Sequence, residues 1–228
     1  RGSSYFSTLD LSSGYWQIAM EPADKEKTAF ITPFGLFHWN RLAMGLCNAP
    51  ATFERLMERV LAGLNFDQCM VYLDDIIVFS TTFNQHLERL GNVLRRLIQA
   101  KLKLAVPKCH LFRLFVNFLG HIVSRNGVSC DPQKTERIES WPVPRDVSEV
   151  RSFLGLCSYY RKFVPGFATI ATPLHRLTEA SAEFHWTEEC QEAFNALKRC
   201  LCSAPILAYP LDEGHYTPVS YTHLRAHE

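Results

Sequence analysis

The chain has 228 residues, of which 47% are hydrophobic and 21% charged, and its formal net charge is +1. That balance supplies a buried core for two lobes and excludes a low-complexity or collagen-like chain. No apolar run approaches the roughly 18–20 residues of a membrane span, no signal peptide is read at the start, and no membrane partner is expected.

The charge is uneven. Residues 1–178 carry 21 Lys+Arg against 15 Asp+Glu, a net +6, and residues 179–228 carry 3 against 8, a net −5. A mildly basic body is compatible with nucleic acid without demonstrating it. The eight Cys include no C-x-x-C pair. Cys200-x-Cys202 is too close for a zinc pairing, and Cys109-His110 has no matching pair. They read as reduced thiols of an intracellular protein.

Tyr5 to Asp10 reads as a short strand ending in an acid, and Leu11-Ser12-Ser13-Gly14 as a tight turn before Tyr15 and Trp16. A chain that opens this abruptly on a buried strand suggests a fragment. Thr28 to Ile31 and Leu36 to Trp39 flank Pro33-Phe34-Gly35, a hairpin. Gly45 lies in a loop, where it permits close backbone approach. Asn48 and Pro50 start a helix whose Phe53, Leu56, Met57, Val60 and Leu61 share one face, ending near Gly63.

Cys69 to Leu73 and Ile76 to Ser80 are short apolar runs that read as strands, joined across Asp74-Asp75. Two adjacent carboxylates there either cap a solvated turn or repel one another until a cation or proton is held. The pair alone does not choose. A second helix spans about Phe83 to Ala100, with Leu87, Leu90, Leu94 and Leu97 as its buried stripe. His86 falls on the polar edge, where a lone His packs or caps more often than it ligates.

Leu102 to Leu104 and Leu111 to Ser124 read as further strands, and Asn126-Gly127 as a hairpin turn. Beyond residue 125 the period becomes helical. Asp131-Pro132 opens a short helix that stops at Trp141-Pro142. Asp146 and Glu149 form a capping box for a helix through Tyr160. Arg151, Arg161 and Lys162 lie among its aromatics, as a solvated face or a phosphate-contacting one. Thr187 caps a last helix that Pro205 stops. The fold class is therefore α+β: a mixed lobe of strands and helices, then a helical lobe.

Asp10, Asp74 and Asp75 can converge on neighbouring strands of one antiparallel sheet. Three such carboxylates suit two Mg²⁺ ions and in-line nucleotidyl transfer. Phe6-Ser-Thr-Leu-Asp10-Leu-Ser-Ser-Gly-Tyr15-Trp-Gln-Ile, Gly45-Leu-Cys-Asn-Ala-Pro-Ala-Thr-Phe53 and Tyr72-Leu-Asp-Asp75 resemble the consecutive polymerase motifs of reverse transcriptases. More narrowly, they resemble those of gypsy-type LTR retrotransposons and related retroviral Pol polyproteins. Phe118-Leu-Gly-His121, Trp141-Pro142, Phe153 to Phe163 and Ala204-Pro205-Ile206-Leu207 extend the likeness to about residue 210.

The resemblance implies a polymerase palm, an antiparallel sheet with helices on one face, over residues 1–124. A helical thumb over 125–178 and the start of the connection over 179–210 follow. It implies RNA-directed DNA polymerase activity, with Asp10, Asp74 and Asp75 holding two Mg²⁺ ions, or Mn²⁺ in their place. Leu11, Ser13, Gly14, Tyr15, Met44 and Gly45 would contact the incoming dNTP, Tyr15 as the steric gate against a ribose 2′-OH. The other reading of Tyr15 is a core aromatic. Phe118, Leu119, Gly120 and His121 resemble the primer grip, and Arg151, Arg161 and Lys162 would contact nucleic acid. The implied partners are an RNA or DNA template with its primer, dNTPs, and the fingers, RNase H and integrase of the Pol polyprotein. The implied location is the cytoplasm and virus-like particles, with nuclear access for integration.

Relatives often carry Pro-Phe where this chain has Ala43-Met44. The fingers segment is absent, so the chain alone is expected to be inactive. Residues 211–228 do not match the family, which suggests a truncation, frameshift or cloning artefact. The competing readings are an inactive relic or nucleic-acid-binding module, and a phosphatase using an Asp pair. The phosphatase needs a DxD-like spacing that Asp74-Asp75 lacks.

Overall fold

The structure is a computed structural model and describes residues 2–180 and 182–209. In chain order its strands are Tyr5–Asp10 (β1), Phe30–Thr32 (β2), Gly35–Phe37 (β3), Cys69–Tyr72 (β4), Asp75–Ser80 (β5), His110–Arg113 (β6), Phe115–Phe118 (β7), His121–Ser124 (β8) and Gly127–Cys130 (β9). Its α-helices are Ala49–Val60 (α1), Phe83–Gln99 (α2), Pro132–Glu139 (α3), Val147–Tyr159 (α4), Phe167–Arg176 (α5) and Glu188–Cys202 (α6).

The first lobe is built on a four-stranded antiparallel sheet in the order β4-β5-β1-β6. The two-residue period of a strand decides which side each residue serves. Leu9, Leu11, Ile76 and Val78 join Phe53, Met57, Leu90, Val93 and Leu97 in one core, so α1 and α2 cover that face. Phe6 and Ile77 face the other way and pack with Val116, Phe118 and Val123 of the three-stranded sheet β7-β8-β9. This is the expected α+β palm, with helices on one face and the strand ends open on the other.

The second core runs from Cys130 to Leu201. It joins Ile138, Val150, Phe153, Phe163, Leu174, Phe194 and Leu197, so α6 packs into the same core as the helices before it. The expected caps of this lobe form, with Asp131 accepting from Gln133 N–H, Asp146 from Glu149 N–H and Thr187 from Cys190 N–H, whereas Asn48 makes no side-chain cap bond at α1. Glu149 returns a bond to Arg145 N–H at 2.7 Å.

Several expectations shift. The α2 stripe is His86, Leu90, Val93 and Leu97, while Leu87 is 58% exposed. The imidazole takes the buried position because a polar relay satisfies both of its nitrogens. Phe112 N–H donates to Ser7 Oγ (3.0 Å), and Ser80 Oγ donates to Thr82 O (3.0 Å). With those ends fixed, Ser7 O–H donates to His86 Nε2 (2.7 Å) and His86 Nδ1–H donates to Ser80 Oγ (2.9 Å). The relay therefore holds one neutral tautomer.

Within the run Leu111 to Ser124, Phe118 to His121 is a hairpin turning at Leu119-Gly120, with Phe118 opposite His121. The next turn is Arg125-Asn126, and Gly127 opens β9, a strand the helical period hid. Glycine is needed there because Leu207 pairs with Val128, at 2.9 and 2.8 Å. A methyl group on Gly127 would stand 2.1 Å from Leu207 O. Helix α5 was also hidden, because Pro173 lies inside it. Residues 211–228, where the mismatch with the family was noted, lie outside the described residues.

Candidate active site

Asp10 is the last residue of β1, and the chain leaving it is tied down twice. Ser12 N–H donates to Lys103 O and Ala105 N–H to Asp10 O, each at 2.9 Å. The Gln17 amide copies a strand edge: it donates to Ser12 O and Lys103 O and accepts from Lys103 N–H. Between these anchors Ser13 turns left-handed (φ +50°) and Gly14–Gln17 form a short 3₁₀ turn.

Asp75 stands directly across from Asp10 in the β1–β5 ladder, and Tyr72 across from Asp75 in β4–β5. The hairpin turn is therefore Leu73-Asp74, with Leu73 left-handed (φ +53°). The two acids do not share the tip. Asp74 is exposed on the turn, and Asp75 is half-buried as the first residue of β5.

Cross-strand partners point to the same face, so Asp10 and Asp75 meet on the side away from α1 and α2. Burial pushes the Asp75 carboxyl above its usual range; Asp74 and Asp10 push it further, and Lys108 opposes them. Lys108 Nζ lies 3.6 Å from Asp10 Oδ2. Among the described residues no trio of His, Cys, Asp or Glu side chains forms a closed metal-ligand set. The acids still suit a divalent cation by donor type and charge, being oxygen-only with surplus negative charge in a half-buried place.

Asp10 and Asp75 line a polar cleft of about 330 Å³, and Asp74 does not reach its lining. Its opposite wall is Asn117, Phe118, Leu119 and Gly120. The Leu119-Gly120 turn, left-handed at both residues (φ +48° and +69°), is gripped from the helical lobe. Tyr159 O–H donates to Leu119 O, and Tyr160 O–H to Gly120 O at 2.7 Å.

The other expected residues divide. Phe118, Leu119 and Gly120 reach the cleft. His121 does not line it: the imidazole is buried against Tyr159, Tyr160 and Phe163, and its Nδ1–H donates to Leu119 O at 2.7 Å. Burial lowers the His121 pKa, its bond to Leu119 O raises it, and Lys162 lowers it again. Leu11 is in the core and offers only backbone. Gly14 is buried, with no room for a side chain beside Phe53 and Asp74. Tyr15 is half-buried and meets the Phe53 ring edge-on at 5.4 Å. Ser13, Met44 and Gly45 are exposed and do not line the cleft. Arg151 donates to Thr178 O at 3.0 Å, and Arg161 and Lys162 are exposed.

Lys108 at Asp10, Asn117 donating to Asp131 Oδ2, Gln17 at Lys103 and Glu54 accepting from Leu73 N–H were missed. Each acts on a residue distant in sequence, and none belongs to a spacing pattern.

The profile of the family "Reverse transcriptase (RNA-dependent DNA polymerase)" matches residues 1–123. The chain is 43% identical to the retrovirus-related Pol polyprotein from transposon 297 of Drosophila melanogaster, covering 90% of this chain and 20% of that protein. It is 39% identical to the Drosophila melanogaster gypsy Pol polyprotein, covering 91% and 21%. Among solved structures it is similar to a foamy viral protease-reverse transcriptase in complex with double-stranded DNA (TM-score 0.83, 31% identity, 90% of this chain and 36% of that one). It is also similar to the foamy viral enzyme in complex with an RNA/DNA hybrid (TM-score 0.82, 32% identity, 90% and 28%). The chain thus spans about a fifth of the curated relatives it matches.

Proposed function

The chain belongs to the reverse transcriptase (RNA-dependent DNA polymerase) family, and from that premise we propose that its cleft extends a primer 3′-OH with dNTPs within a retrotransposon Pol polyprotein. One observation carries the reading: Asp10 and Asp75 are cross-strand partners on the sheet face opposite the helices, and Asp74 is next in the chain, on the turn that precedes Asp75. The nucleic acids in the foamy viral structures support a primer–template as partner.

Asp10, Asp74 and Asp75 would hold Mg²⁺, which when bound lowers the cost of the charge that develops in phosphoryl transfer. The chain's own part is positioning. The Leu119-Gly120 turn offers backbone to a primer end across the cleft from the acids. Tyr15, propped on Phe53, would be the ring that tests the sugar. Lys108, with its Nζ 3.6 Å from Asp10 Oδ2, offsets charge at that acid. The order of these groups supports a template-directed transfer in which geometry supplies most of the acceleration.

The test is primer extension by a polypeptide of the relatives' length that contains this chain, on an RNA template. Incorporation of complementary dNTPs that stops on chelation and resumes with Mg²⁺ supports the reading. Primer–template binding with no incorporation at any divalent ion concentration rejects it and favours a binding module.

A further inference from the structure

We propose that Glu54 is a positioning residue that sets the acidic hairpin from the helix beneath it. The proposal rests on the polymerase reading of the cleft. Leu73 is a non-glycine residue held left-handed (φ +53°), a conformation that persists only where its surroundings over-determine it. The Glu54 carboxylate on α1 supplies one such constraint by accepting the Leu73 backbone N–H. The adjacent residue supplies another. Phe53 is fully buried, and a methyl group on Gly14 would stand 2.9 Å from its Cζ and 3.5 Å from Asp74 Cβ.

Gly14, Phe53 and the Asp74 stem are thus packed without slack. Tyr15 leans on the same ring. Phe53 and Glu54, neighbours on α1, therefore touch both the loop that leaves Asp10 and the turn that carries Asp74. They fix the two acid-bearing segments against each other.

Charge argues that this placement serves geometry. A carboxylate bonded to Leu73 brings one more negative charge to a hairpin that already carries Asp74 and Asp75. What it offers in return is a strong acceptor for one backbone N–H. A glutamine can make the same bond without the charge, and an alanine cannot. That difference separates positioning from mere support of the fold.

The experiment compares wild type, Glu54→Gln and Glu54→Ala in a primer-extending polypeptide. In parallel, Leu73 amide exchange is followed by NMR in the labelled 228-residue chain. Glu54→Ala is expected to lower kcat on the order of ten- to a hundredfold, as for a misplaced reacting group. Primer–template affinity should stay within about twofold, since the Leu119-Gly120 wall is untouched. Glu54→Gln should restore kcat to within about threefold of wild type. Leu73 exchange should be slow in wild type and Gln, and fast in Ala.

Unchanged kcat in Glu54→Ala overturns the proposal. So does a parallel loss of kcat, primer–template affinity and melting temperature that Gln does not rescue, which marks a structural role only. If wild type extends no primer while Leu73 exchange still follows residue 54, the polymerase reading fails, and the positioning role falls with it.

Discussion

Two buried titratable residues carry opposite lessons. His86 is neutral in the fold: burial and nearby Arg89 hold its pKa below the ordinary 6.5. As pH falls through about 6.5 the unfolded chain takes up the proton first. The relay's contribution is therefore full above that value and is lost as pH falls toward the folded pKa. His121 acts in the same direction. Melting temperature should fall between pH 7 and pH 5, with a shallower slope in His86→Gln; an equal slope would show that the relay does not titrate. Asp75 works the other way. Its carboxyl is raised, so its charged form costs the fold stability at neutral pH. Asp75→Asn should raise the melting temperature by about 1–3 °C while abolishing incorporation, a trade expected of a functional acid. A lower melting temperature would mean that Asp75 is held for structure.

Among the elements, the two hairpins at the cleft differ in how much of them was legible. The acidic hairpin was readable because two β-rich runs flank a polar pair, although the turn lies one residue earlier than the Asp-Asp pair suggests. The Leu119-Gly120 hairpin was hidden inside an apolar run, and what fixes it comes from another lobe, the hydroxyls of Tyr159 and Tyr160. Tyr160→Phe should cost roughly 1 kcal/mol, the usual net worth of such a bond, plus whatever the orphaned carbonyl adds. Primer–template affinity should fall with it, and a variant with wild-type stability and affinity would remove that grip from the account. Strand β9 escaped notice for a similar reason. Its edge is completed by Leu207, and Gly127→Ala places a methyl group against that carbonyl. The substitution should destabilise by roughly 1–3 kcal/mol through backbone strain, read by chemical denaturation, and a neutral result would mean that the 206–209 segment is not held there.

Across the whole molecule, motifs made the family legible, because the candidate acids Asp10, Asp74 and Asp75 sit in short runs that can be read from the sequence alone. Lys108 at Asp10, Gln17 at Lys103 and Glu54 at Leu73 are contacts between distant segments, and no local pattern records them. One surface also needs a neighbour. Ile31 (84% exposed), Phe34 (92% exposed) and Leu36 stand on or between β2 and β3, beside Trp16 stacked on Trp39 at 6.4 Å. A patch this apolar marks an interaction site. The chain should bind the dye ANS in native buffer; an absence of dye binding would show that the patch is covered in solution. The most direct measurement of the central claim is incorporation of a complementary dNTP by the primer-extending polypeptide with Asp10→Asn or Asp74→Asn. The account predicts loss of at least about a thousandfold in kcat with primer–template affinity retained. Incorporation at wild-type rate by either variant would contradict it.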